Sequence, residues 1–319
     1  MLFRLRPFTR LTYIIRPPSL FSVIKLHVRT YAKGKSKSLI RQSQKTGAEQ
    51  DVWVDPFKSP PPPKPNFRVL VRPAIFTVVV VASADHIADY FAQRRTSQVT
   101  TRAERYAETA MTIWPIIAVN VVVWALWRTF PSLLLRIGGL LVPYAPTPSQ
   151  LIVNTFSHQD IWHLLLNQVA FFSFGSLVCD TIGREHFMSL YIQAACISSL
   201  ASVSTTQLLV ARKIYDISHL ARGSLGASGI IYTTLGLSAV IYPDMQVGII
   251  VIPLLIPIKY VFPGLCAVDI GGLIAKWGRF DHVCHVSPFH ADFANRISSL
   301  AARLELGMGT SKFCHRYAQ

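Results

Sequence analysis

The chain has 319 residues and a formal net charge of +16, with 51% hydrophobic and only 15% charged residues. A water-soluble domain carries about a quarter of its residues charged, so this composition excludes an ordinary soluble globule and indicates a membrane protein in contact with a lipid bilayer. The basic excess does not indicate a nucleic-acid partner: residues 1–48 hold eleven Lys and Arg and no Asp or Glu, and the rest of the chain has no basic stripe with interleaved aromatics.

That Arg-rich, acid-free start, 1–48, reads as a mitochondrial transit peptide; the other reading is a basic tail drawn to anionic lipid. Residues 49–68 contain the run Pro60 to Pro63 with Pro65, which predicts an extended linker. An apolar block over 69–91 predicts an extra N-terminal transmembrane helix. Asp85, His86 and Asp89 stand towards its end, where they mark the interface or line a polar cavity.

A polar stretch, 93–109, separates this block from a span at Met111–Trp127, in which Trp114, Trp124 and Trp127 are placed as interfacial anchors. The piece LLLRIGGLLV that follows is too short to cross and is expected in the interface plane. Three further spans are predicted over 161–178, 187–210 and 227–241. The strip 247–258 contains Pro253 and Pro257 and is expected to be a loop on or dipping into the membrane. A last complete span covers 264–277. Nothing after Val286 is apolar for long enough to cross, so the last helix reads as truncated and 286–319 as a non-membrane tail.

The five cysteines, Cys179, Cys196, Cys266, Cys284 and Cys314, have no CxxC spacing, and neither a disulfide framework nor a zinc site follows from them. The stretch most suggestive of chemistry is Gly223–Gly236, GSLGASGIIYTTLG. Gly226, Ala227 and Gly229 strip bulk from the backbone around Ser228, and Tyr232 follows at i+4 on the same helix face. Small residues with a serine also serve helix packing, so the hydroxyl is a nucleophile only if a base and an oxyanion site accompany it.

Both have candidates. A helix starting near Asp160 puts His163 and Asn167 on one face as hydrogen-bond donors, either for an oxyanion or as glue between helices. The segment Asp281–His285, DHVCH, offers an imidazole as base. The rival is a metal held by His282 and His285 with His158 and His163, but the carboxylate such sites usually recruit is represented only by Asp281.

In order along the chain, FSHxxxWHLLLNQxxFFSFG, then GASG with Tyr232, then FDHVCH resemble the rhomboid family of intramembrane serine proteases, most closely its mitochondrial inner-membrane branch. The resemblance implies an all-α polytopic membrane protein: a rhomboid-like helical bundle over 111–285 preceded by the extra helix. It implies Ser228 as nucleophile, His285 as general base, and His163 and Asn167 as oxyanion-stabilising groups. It also makes His158 structural, places Tyr232 against the catalytic histidine, and gives Gly226 and Gly229 supporting roles beside the serine. The implied partners are transmembrane-helix proteins as substrates, with no metal or other cofactor.

The sequence departs from the family after His285, where VSPFHADFANRISSL stands in place of small residues and an apolar helix. Pro288 and Asp292 fall where the helix carrying the base should pack against the serine helix. Two other readings therefore stand beside the protease: a non-catalytic rhomboid-like protein that binds transmembrane helices, and a membrane transporter or channel.

Overall fold

A computed structural model of the chain describes residues 64–95, 101–158, 160–221, 223–249 and 252–275, all within the unit Pro62–Gln319. The expected transit peptide, most of the linker, the tail 286–319 and the segment holding Asp281, His282 and His285 lie outside the described residues.

The elements in chain order are α1 (Val71–Arg94), α2 (Arg102–Thr129), α3 (Pro131–Ile137), α4 (Gln150–Val153), α5 (Ile161–Ile182), α6 (Arg184–Ala211), α7 (Ser228–Ile241), a hairpin of β1 (Gln246–Ile249) and β2 (Ile252–Pro257), and α8 (Ile258–Ile274). Among the described residues, four helices are long and apolar enough to cross a membrane: Phe67–Arg94, Arg102–Thr129, Ile161–Ile182 and Arg184–Ala211. The fold is an all-α polytopic bundle, as the sequence predicts, with the one small hairpin as an addition.

Several boundaries differ from expectation for identifiable reasons. Helix α2 begins well before the expected Met111, because Thr101 and Glu104 form a capping box in which each side chain accepts from the other residue's backbone N–H. The interface piece does form a short helix, α3, ended by Gly138 at φ +98. Its Leu134, and Leu140 and Leu141 just beyond, are buried, while Leu133 and Ile137 are exposed. The strip expected as a loop pairs as an antiparallel hairpin, Val247 opposite Ile256, with Pro253 and Pro257 accommodated in a strand exposed to no further partner strand. Helix α8 starts at Ile258, earlier than the expected 264, and continues through Pro263.

The main core lies where α2, α5, α6 and α7 meet. Phe171, 0% exposed, packs edge-on to Tyr191 at 5.9 Å and near Phe187 at 6.2 Å. The chain of α5 widens into a π turn over Phe171–Gly175, where Gly175 lets the Phe171 ring and Ile113 come close.

Helix α1 lies antiparallel along α6, held at three levels. At one end, Asn66 N–H donates to Gln207 Oε1 at 3.0 Å. Further along, Ser189 Oγ and Gln193 Nε2 both donate to Asp85 Oδ1 at 2.7 Å. At the other end, His186 Nε2 sits 3.7 Å from Asp89, and Arg95 pairs with Glu108 and Glu185. Asp85 and Asp89 thus tether α1 to its neighbour instead of only marking a helix end, which is how a carboxylate becomes affordable at that depth. Asp85→Ala is expected to weaken the helix pair by about 1–2 kcal/mol, read as a lowered midpoint of denaturation of the reconstituted chain; an unchanged midpoint would remove this tether from the account.

Candidate active site

The site is assembled from three pieces: the turn leading into α5, the segment leading into α7, and the facing wall of α8. The turn is a 3-10 stretch, Asn154–Phe156, followed by Ser157 and His158, both fully buried. Asp160 then caps α5 by accepting the His163 N–H at 2.8 Å, which starts the helix where the sequence predicts and orients its first turn.

His158 is 0% exposed, its ring 5.3 Å from that of His163 and inclined at 60°. Its Nδ1 lies 3.3 Å from the Phe156 carbonyl oxygen, which can only accept, so Nδ1 carries the proton. Burial pushes its pKa down to about 3, with the neighbouring His163 acting in the same direction. A histidine kept neutral when folded takes up a proton on unfolding, so the folded state gains full benefit above the unfolded pKa near 6.5 and loses it as pH falls towards 3. Lowering the pH from 6.5 to 5 should cost about 2 kcal/mol through this residue. A His158→Gln chain should lack that slope in stability against pH; an identical slope would refute the assignment.

Asn167 lies one turn below His163 and is buried, and its Nδ2 donates to the His163 carbonyl at 2.7 Å. One of its two amide N–H bonds is therefore used within the helix, so the expected pair does not present both donors in full. His163 itself is half-buried.

The segment ahead of α7 is anchored on both sides. Ser224 pairs with Leu141 through two backbone hydrogen bonds of 2.8 and 2.9 Å, and Gly226 N–H donates to the Asn154 carbonyl at 3.0 Å. Asn154 is held in turn by α6, its Nδ2 donating to Ser199 Oγ at 3.0 Å. Gly226 has φ +123, and a Cβ placed there would stand 3.0 Å from His163 Cε1 and 3.2 Å from Nε2. The glycine is what allows the His163 ring edge to lie against the backbone two residues before Ser228.

Ser228 opens α7 and is half-buried, with Ala227 and Gly229 buried on either side. At a helix start the first N–H groups have no carbonyl of their own helix to bind, and the dipole favours negative charge there. With 14 residues, α7 is only about 21 Å long against a hydrocarbon core of about 30 Å. Tyr232 stands one turn along from Ser228, and its hydroxyl donates to Asp269 of α8. Asp269, 5% exposed, is the residue that sequence reasoning missed. A single carboxylate inside the apolar stretch Ile258–Ile274 was the available signal.

The structure thus brings His158, His163 and Asn167 to the α5 turn, places Gly226 against His163, and puts Ser228, Gly229 and Tyr232 on the start of α7. His285 lies outside the described residues, so the expected packing of Tyr232 on it does too. Among the described residues, no group of three or more His, Cys, Asp or Glu is placed to hold a metal ion.

The chain is a polytopic helical bundle, and its residues 145–294 match the rhomboid domain. The chain carries a rhomboid domain over these residues, is similar to mitochondrial rhomboid proteins, and is a multi-pass mitochondrial membrane protein. It is 31% identical over 183 residues to the human presenilin-associated rhomboid-like protein, mitochondrial, covering 55% of this chain and 45% of that protein. It is 30% identical over 189 residues to zebrafish (Danio rerio) presenilin-associated rhomboid-like protein A, mitochondrial, covering 56% and 45%. To rhomboid protein 1, mitochondrial, of Saccharomyces cerevisiae it is 30% identical over 177 residues, covering 54% and 49%. The chain spans about half the length of the curated relatives it matches.

Proposed function

We propose that this chain is a serine endopeptidase of the mitochondrial inner membrane that cleaves single-pass membrane proteins within or near their transmembrane segment. His285 takes the proton of Ser228 Oγ as the oxygen attacks the scissile carbonyl. The oxyanion that forms is held by the Ser228 backbone N–H, the His163 imidazole and the remaining Asn167 N–H. His285 returns the proton to the leaving amine, and water then hydrolyses the acyl-enzyme. The substrate helix must unwind locally to present its carbonyl, so helix-breaking residues near the cut favour cleavage.

The observation that carries the reading is the contact of His163 with Gly226, two residues from a half-exposed Ser228 at a helix start. Co-expression with a single-span reporter in mitochondria tests it: the reporter should be cut by this chain and left whole by Ser228→Ala. One observation favours a second reading, a non-catalytic binder of transmembrane helices. In the sequence, Pro288 and Asp292 follow His285 where small or apolar residues are expected, and an uncut reporter that co-purifies with the chain is the expected result of this reading.

A further inference from the structure

Asp269 is the only acidic side chain on α8 and is nearly fully buried, at 5% exposure. A carboxyl group in an apolar helix is costly unless it has a hydrogen-bond partner, and here the partner is the hydroxyl of Tyr232 on the adjoining helix α7. Tyr232 follows Ser228 by one turn, so its half-buried ring lies on the same face as the serine hydroxyl and directly along the helix from it.

We infer that Asp269 is a positioning residue for the reaction at Ser228: it tethers the Tyr232 hydroxyl and so fixes the ring one turn along α7 from the nucleophile. The inference rests on the protease reading above and names a group which that reading does not use. A tyrosine ring anchored only at its Cβ can swing about two torsions, whereas one held at its hydroxyl as well keeps a single position. The tether also joins α7 to α8 at the level of the site, across 37 residues of sequence. Ring position matters because a misplacement of about 1 Å near reacting atoms can lower the rate about 100-fold.

The test uses the full chain in proteoliposomes with the single-span reporter. Asp269→Leu removes the acceptor and should lower kcat roughly 10- to 100-fold with KM unchanged. Asp269→Asn keeps an acceptor oxygen and should stay within about threefold of the parent. Tyr232→Phe should match Asp269→Leu, and the double variant should be no slower than either single one. Fluorotyrosine placed at position 232 gives a readout that does not depend on cleavage. Its fluorine resonance should be the same in the parent and Asp269→Asn chains, and should shift and narrow in Asp269→Leu.

Additive losses in the double variant, equal losses in Asp269→Asn and Asp269→Leu, or a fluorine signal unmoved by Asp269→Leu would each overturn the proposal. Cleavage by Ser228→Ala at the parental rate would instead remove the nucleophile assignment, a failure read from the reporter alone. Should Asp269→Leu fail to fold, Tyr232→Phe and Asp269→Asn carry the kinetic comparison.

Discussion

Ser228→Ala is expected to lower single-turnover cleavage of the reporter by roughly 10⁴- to 10⁶-fold, the scale on which hydroxyl nucleophiles are missed when their helpers remain. The substitution removes one oxygen from a half-buried position at a helix start and leaves the small-residue packing around it intact. Loss of rate should therefore come without loss of fold, visible as an unchanged denaturation midpoint. His285→Ala should fall to a similar residual rate, and the double variant should be no slower, because two groups that act as one unit are not additive. Residual cleavage above about a tenth of the parental rate in Ser228→Ala would end the serine-protease account.

Gly226→Ala is expected to act at one remove, through His163. The backbone there, at φ +123, is one that residues with a Cβ rarely adopt, and the added methyl would meet the imidazole at 3.0 Å. Strain of this kind costs about 1–3 kcal/mol, and the ring, pressed away from the segment leading to Ser228, should cease to serve the oxyanion. Loss of one such donor lowers kcat by about 10²- to 10³-fold. Gly264→Ala is the control: apart from its chain neighbours and its own helix backbone, nothing lies within 4 Å of a Cβ at that position, so kcat should stay within about twofold and stability should rise slightly. Equal kcat values for the Gly226→Ala and Gly264→Ala chains would refute the role given to the His163–Gly226 contact.

Most of the bundle could be read from the sequence because apolar runs long enough to cross a bilayer are hard to mistake, and because Asp160 announces the start of α5 in the local pattern. The turn chemistry was harder to see. The capping box at Thr101 adds polar turns to α2 that hydropathy alone assigns to a loop. The hairpin around Val247 depends on a pairing partner across the turn, which no single-strand pattern rich in proline announces. Around the candidate site, residue type and spacing singled out Ser228, His163 and Gly226, and the structure places His163 against Gly226 two residues before Ser228. Asn154, Ser199 and Asp269 were not singled out, because their value lies in contacts across the fold: to Gly226, to Asn154 and to Tyr232. Asp85 shows the same limit in reverse, since its place near a helix end suggested an interface marker until α6 supplied its donors.

The antiparallel seating of α1 on α6 also decides from which direction the molecule can be approached in the plane of the lipid. With that flank shuttered by a helix fastened at both ends and midway, a second membrane-embedded polypeptide drifting sideways finds no bare α6 there.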